Sequence, residues 1–360
     1  MKALVVSNMY PSQASPEFGV FVRRITDQMS GGGIDVDLVV RTADGNKFFG
    51  YIRFYIRAFV ATLFTKCDFV YLHFATHSFP PVALALLLRR LPLVVNVHGA
   101  DIVPEDTTSE LKSKILYLVA SKALSRATLV VAPSQYFRQE IKDRFGYSLE
   151  NIHVSPSGGV NTDRLKQSTM PGGRRRVLFL GRLIIGKGVA HIIPALSQLL
   201  ERRPELDFEM IFGGEGPARK LLEQQAQSNS HLEVTLLGSI APAQVPTLIQ
   251  GCHGLVFPSY RRGESLGLVA LESMACGRPV LAARSGAMST IIRDGKNGYL
   301  FDPDDVDSLS RALERFLDLD NQELKSMSTA ARLDSRDFDS HLVAKALCST
   351  LRDIFGKPKE

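Results

Sequence analysis

Glu264 and Glu272 stand eight positions apart, with Gly267 between them and the apolar run Leu268–Ala275 carrying the second. Eight residues would span slightly more than two helical turns. Gly267 instead puts the first carboxylate on a loop and the second a few residues into a helix. This layout sets two acceptors for hydroxyl groups beside the free N–H groups of a helix start, which favour a phosphate. A diphosphate flanked by polyols fits it, and a nucleotide sugar is such a ligand. Arg182 and Lys187 lie five apart on a loop flanked by Gly181 and Gly188. Fixed cations there would meet the charge that grows on a departing diphosphate, stabilising a transition state more than a ground state. The plain alternatives are an ordinary surface loop for that pair and a solvent-facing helix carboxylate for Glu272. Ala270, Leu271 and Met274 argue for a buried helix around Glu272, where a carboxylate needs a partner.

The elements that must hold these side chains alternate along the chain. Short apolar runs at 4–7, 37–40, 69–73, 93–97, 129–132 and 152–154 predict strands, and 21–29, 81–88 and 111–125 predict helices. The stretch 80–88 is the longest apolar one and reads as a buried helix. Polar residues with Pro and Gly over 165–176 read as a linker, and Arg174–176 as a solvated entry to the next strand. Strands are then predicted at 177–180, 208–212, 234–237, 254–257 and 280–283, and helices at 192–201, 218–225, 245–250, 268–275 and 308–317. Continuous apolar strands between helices mean parallel sheets covered on both faces. The expected architecture is α/β, two doubly wound, Rossmann-like domains facing across a cleft, residues 1–168 and 169–339. His98, Ser134, Arg182, Gly213, Pro258 and Glu264 all follow predicted strands, and ligands of open parallel sheets bind at strand carboxyl ends.

The 360 residues exceed what one core usually supports, which agrees with two domains. Cys67, Cys252, Cys276 and Cys348 form no C-x-x-C pair and suggest a reducing compartment, with Cys276 a small buried residue rather than a nucleophile. The first residues read as a strand and not a secretory leader, and no run of 18 apolar residues exists to span a membrane. A cytoplasmic location is expected. The net charge of +6 favours acidic partners, nucleotide phosphates or anionic lipid, while no nucleic-acid-binding motif is present.

The stretch from Glu264 to Glu272 resembles the E-x7-E motif of retaining glycosyltransferases, family 4 in particular. Seven further segments follow the family order: Ser-Asn-Met-Tyr-Pro with Glu17-Phe-Gly-Val20, Val97-His-Gly-Ala-Asp101, Ser157-Gly-Gly-Val-Asn161, Gly181-Arg-Leu183, Lys187-Gly188, Gly213-Gly-Glu-Gly-Pro217 and Phe257-Pro-Ser259. The resemblance implies the GT-B fold, with a last helix near 340–360 returning to the first domain. It implies that Arg182 and Lys187 hold the diphosphate, that Glu272 binds the ribose, and that Glu264 meets the donor sugar. Backbone groups around Gly267, Leu268 and Val269, beside Leu266, would meet the distal phosphate, with Gly214, Glu215 and Ser259 also lining the donor site. His98 would touch the donor sugar, Gly19 would allow close approach to the diphosphate, and Asp101 and Ser134 would lie toward the acceptor. The chain departs from the family at Leu266, where Phe is common, and at Phe18-Gly19-Val20, where a double Gly is often found.

The implied activity is transfer of a hexose from a UDP- or GDP-sugar to a hydroxyl on a surface glycan or lipid-linked carrier. No metal or other cofactor is expected: Asp35/Asp37, Asp318/Asp320 and Asp337/Asp339 are D-x-D matches that follow no strand beside the other motifs. A nucleotide-sugar epimerase, a phosphorylase on the same fold and a non-catalytic binding subunit are the alternatives. Residues 47–66 hold seven aromatics and four basic residues with no acid. Arg53 and Arg57 are one turn apart there, so the segment reads either as a core helix with one basic stripe or as an amphipathic helix docking on an anionic membrane.

Overall fold

The computed structural model describes residues 1–103, 108–229 and 231–356. It divides into two compact units, the first Met1–Gly159 with the C-terminal segment from Ser340, the second Val160–Asp339. Residues 160–168, read from sequence as the end of the first domain, lie with the second. Val160 and Leu165 are buried in its core. Arg332 donates to the Leu165 carbonyl (2.9 Å), and the fully buried Arg278 donates to Ser168 and Thr169.

In the first unit, β1 (Lys2–Ser7), β2 (Asp35–Val40), β3 (Phe69–His73), β4 (Leu93–Asn96), β5 (Leu129–Ala132) and β6 (Ile152–Val154) form one sheet in the order β2-β1-β3-β4-β5-β6. Every pair is parallel. The connecting helices are α1 (Val20–Gly31), α2 (Lys47–Phe64), α3 (Phe79–Leu88), α4 (Glu110–Arg126) and α5 (Gln135–Phe145). Alternate strand residues feed two cores. Leu4, Val6, Leu72 and Val95 pack with α2 to α5, while Val5, Tyr71 and Val131 pack on the other face with α1.

The second unit repeats the plan with β7 (Arg175–Leu180), β8 (Phe208–Gly213), β9 (Glu233–Gly238), β10 (Gly254–Phe257), β11 (Val280–Ala283) and β12 (Gly298–Phe301) in the order β12-β11-β10-β7-β8-β9, again all parallel. Its helices are α6 (Val189–Arg202), α7 (Arg219–Gln227), α8 (Val245–Gln250), α9 (Leu268–Ala275), α10 (Met288–Ile291), α11 (Val306–Leu317) and α12 (Asn321–Asp334). The last helix, α13 (Ser340–Phe355), belongs to the first unit and packs against α1 through Leu347, Cys348 and Leu351.

Four elements were not anticipated: α5, α10, β12 and α12. Polar sequence hid α5 and α12, whose signals lie in their caps. Ser134 caps α5, its hydroxyl accepting from Phe137 N–H, and Gly146 ends it in the left-handed conformation. Asp320 and Glu323 close a capping box on α12. The D-x-D matches have structural partners: Asp35 and Asp37 pair with Lys2, Asp320 caps, and Asp339 accepts from Thr162. One expectation fails: α3 is not buried all round, since Leu84, Leu87 and Leu88 of its outer face are exposed.

Candidate functional site

Each sheet has a point where its strand order reverses, and crevices at the carboxyl ends there accept ligands. In the second unit that point lies between β7 and β10. The loop after β7 runs through Gly181, Arg182 and a 3-10 turn, Ile185–Lys187, to Gly188, the N-cap of α6. Gly188 is left-handed (φ 70°), and a Cβ there would lie 2.2 Å from the Pro258 carbonyl oxygen in the loop after β10. Gly214, after β8, has φ 134° and would put a Cβ 1.9 Å from the Gly181 carbonyl oxygen. Three carboxyl-end loops therefore lie backbone on backbone, which only glycine permits.

This packing brings Lys187 Nζ within 2.5 Å of Glu264 Oε2, and the Ser259 hydroxyl donates to the same oxygen at 3.0 Å. The ammonium also lies 5.5 Å from the Phe257 ring centroid. Burial by itself pushes the Glu264 carboxyl up, but Lys187, Ser259 and Arg261 together outweigh it and hold the group ionised below its usual range. Gly267 (φ 76°) packs on Phe257 and turns the chain into α9. The N–H groups of Ala270 and Leu271 bond to the Gly267 carbonyl, leaving Leu268 and Val269 ahead of the first helical bonds, with no acid in that turn. Such a start favours an anion. Glu272 is half-buried, four residues further into the same helix, and Leu266 is buried beneath it in the core.

Arg182 is exposed, and among the described residues no hydrogen bond or ion pair holds its guanidinium. Glu215 is not open in the same way: Arg219 pairs with it at 2.7 Å. Arg261 was missed from sequence. It packs along Gly186 and its charge acts on Glu264, and the run Tyr260-Arg261-Arg262 directly after a strand was the available signal.

In the first unit the corresponding point lies between β1 and β3. Gly19, left-handed at φ 80°, lets the loop before α1 close on the Met9 backbone, 2.8 Å from where its Cβ would be. His98, after β4, is stacked on His73, with Nε2 2.9 Å from His73 Nδ1. Phe21 and Phe74 enclose the same ring. Phe74 has φ 68°, a costly conformation for a bulky residue and one that clusters at functional sites. Asp101 accepts from the backbone N–H of Ala75 and of His98, both at 2.8 Å, and so holds the His98 loop. Ser134 is a helix cap, and Arg53 and Arg57 lie on the exposed side of α2, apart from this group.

His73 was not anticipated. Burial lowers it well below the ordinary imidazole value, and lowers His98 to about 3, so both are neutral. A neutral imidazole carries one N–H, and His73 Nε2 is buried with no partner among the described residues. An orphan lone pair costs less there than an orphan N–H. His73 Nδ1–H therefore donates to His98 Nε2, and His98 is left to present Nδ1–H. Replacing His73 with Leu should let His98 change tautomer, while Asn, whose amide nitrogen mimics Nδ1, should restore it. Nitrogen-15 shifts of the His98 ring check this, and an unchanged spectrum in the Leu variant would overturn it.

The same group sets a pH dependence. Between pH 6 and 4 the unfolded chain protonates both histidines while the folded chain does not. Asp101 acts oppositely: burial raises it to about 6, against 3.8 unfolded, so its proton favours the folded state over that window. Two protons against one leave a net loss of stability from this group as the pH falls through that window. Urea unfolding at several pH values measures the slope; a protein more stable at pH 4 than at 6 would contradict it.

Among the described residues no group of three or more His, Cys, Asp or Glu could hold a metal ion. Burial raises the Cys276 thiol to about 11, as for a packed residue.

Two doubly wound units with ligand-ready switch points define a GT-B protein. Solved structures agree. HepE of Anabaena, crystallised with UDP, aligns over 98% of this chain and 100% of its own at TM-score 0.76 and 22% identity. Sucrose-phosphate synthase of Thermosynechococcus elongatus aligns over 98% of each chain at TM-score 0.80 and 18% identity. The family description "Glycosyltransferase Family 4" matches residues 18–164, and "Glycosyl transferases group 1" matches 161–334. The chain belongs to these glycosyltransferases. It shares 29% identity over 259 residues with an uncharacterized glycosyltransferase of Methanocaldococcus jannaschii, covering 71% of this chain and 66% of that protein. It shares 32% over 234 residues with the GDP-mannose-dependent alpha-(1-6)-phosphatidylinositol monomannoside mannosyltransferase of Mycolicibacterium smegmatis, covering 59% and 60%. The aligned stretch thus spans less than two thirds of each of these relatives.

Proposed function

We propose that the chain is a retaining, metal-independent hexosyltransferase, moving a hexose from a nucleoside diphosphate sugar to a hydroxyl on a surface glycan or lipid-linked carrier. The observation that carries this is the Lys187–Glu264 pair at the β7/β10 reversal, beside the open start of α9. Lys187 and the exposed Arg182 supply positive charge where the diphosphate leaves, and the α9 amides supply dipoles. Glu264 orients Lys187 and accepts from sugar hydroxyls, and Glu272 accepts from the ribose. In the first unit His98 carries a neutral N–H donor at a carboxyl-end loop that Asp101 holds. UDP and GDP both remain as the nucleotide: HepE was crystallised with UDP-glucose, and the mycobacterial relative is named for GDP-mannose. We place the protein on the cytoplasmic side of a membrane, with Arg53 and Arg57 toward the lipid. Among the described residues no helix is long and apolar enough to cross a membrane.

The test is a thermal-shift panel of UDP, GDP, ADP and their sugars. A ligand at about a hundred times its Kd adds roughly 2.7 kcal/mol to the native state. Selective stabilisation by one nucleotide is the expected result. Silence across the panel with a well-folded protein, or epimer formation from donor alone, would overturn the reading.

A further inference from the structure

The α2–α4 side of the first unit is apolar where it meets water. Thirteen of the twenty exposed large apolar side chains among the described residues lie on α2, α3 and α4. On α2, Phe48, Ile52, Ile56, Val60 and Phe64 recur every four residues. On α4, Leu111, Ile115 and Leu118 form a second stripe at helical spacing. Between them, Leu87 of α3 is 81% exposed, and α3 packs on both neighbours. Apolar surface of this extent marks an interaction site. The three helices carry seven basic residues and one acid, Glu110. Lys47 and Lys112 stand in the first turns of α2 and α4, so each helix carries an ammonium group near its start. A second copy of the chain would bring the same cations face to face. An anionic bilayer meets both the apolar stripes and the charge.

A cavity of about 450 Å³ opens on this face. Ile102, Leu116, Tyr117 and Leu118 give it apolar walls, and Tyr117 and Leu118 also belong to the exposed surface. Charged groups line it too: Asp101, its carboxylate already taken by the Ala75 and His98 N–H groups, the Glu110–Lys114 ion pair, and Arg144. The volume is that of a small-ligand site. We propose that this cavity seats the apolar chain of an anionic lipid from the bilayer on which the α2–α4 face rests. The site deepens the reading of a lipid-linked acceptor, because the loop that walls the cavity is the loop that carries His98.

The chain has no tryptophan, so one introduced residue is a unique fluorophore. Phe49→Trp reports the face, Tyr117→Trp the cavity, and Ile354→Trp, on α13 across the sheet, serves as the control. Each full-length variant is mixed with vesicles of phosphatidylcholine, alone or with phosphatidylglycerol brominated along its acyl chains. The expected result is loss of most of the emission of Phe49→Trp and Tyr117→Trp with the brominated anionic lipid, and none for Ile354→Trp. Arg53→Glu with Arg57→Glu should weaken vesicle binding at least about tenfold. Quenching of Phe49→Trp without Tyr117→Trp would overturn the cavity as a chain site. No quenching of either, or burial of both by self-association before lipid is added, would overturn the membrane face. Because no readout uses sugar transfer, these failures are distinct from failure of the transferase reading.

Discussion

Lys187→Ala should lower turnover by about two to three orders of magnitude, while affinity for the nucleoside diphosphate falls far less. The asymmetry follows from where the charge is. On the proposed reading the bridging oxygen of the diphosphate gains charge as the glycosidic bond breaks, and Lys187 is the cation set to meet it. The ammonium is held in place before substrate arrives, 2.5 Å from Glu264 and over the Phe257 ring, so little reorganisation is needed. The substitution has a second consequence. Glu264 stays ionised because Lys187 is the largest of the groups opposing burial. Without it the carboxyl should titrate at higher pH, and the residual activity should show a new acid limb. Steady-state kinetics over pH, beside calorimetric binding of the free nucleotide, separate the effects. Equal losses in turnover and affinity would mean that Lys187 only binds.

Gly214→Ala should destabilise the second unit by roughly 3–5 kcal/mol, the sum of a backbone held at positive φ and an overpacked contact. Its φ of 134° is open to glycine and strained for other residues, and the new Cβ would stand 1.9 Å from the Gly181 carbonyl oxygen. The atom it meets is backbone, so no side-chain rotation relieves the clash, and the β7 and β8 loops must separate. That movement would also carry Arg182 away from its position. Gly172→Ala is the comparison: open space surrounds it, and its change should stay within about 0.5 kcal/mol. Denaturant midpoints with unchanged slopes give both values. Matching midpoints would show that the loop contact does not constrain the site.

Much of this was legible in one dimension because the responsible interactions are local. Among the described residues, apolar runs of strand length located eleven of the twelve strands, and the break at 165–176 announced a second unit. Caps were the weak point. Ser134 and Asp320 stand in polar stretches where periodicity is faint, and their role is visible only when a hydroxyl or carboxylate meets an N–H two or three residues on. The unit boundary moved to residue 159/160 because burial of Val160 and Leu165, and the reach of Arg278 and Arg332, are long-range facts.

The candidate site divides in the same way. The sequence by itself determined which residues follow strands, and so that Lys187, Glu264, Gly267 and His98 lie at carboxyl ends. It also determined that glycines stand where those loops turn. Only the tertiary structure decided the partners. Lys187 and Glu264 are 77 positions apart and His73 and His98 are 25 apart, and the pairs meet because β7 and β10, and β3 and β4, are neighbours in their sheets. It also decided which apolar residues stay outside. Helical spacing gives α2, α3 and α4 more apolar positions than one sheet face can cover, and the packing of those three helices left Phe48, Leu87 and Ile115 exposed.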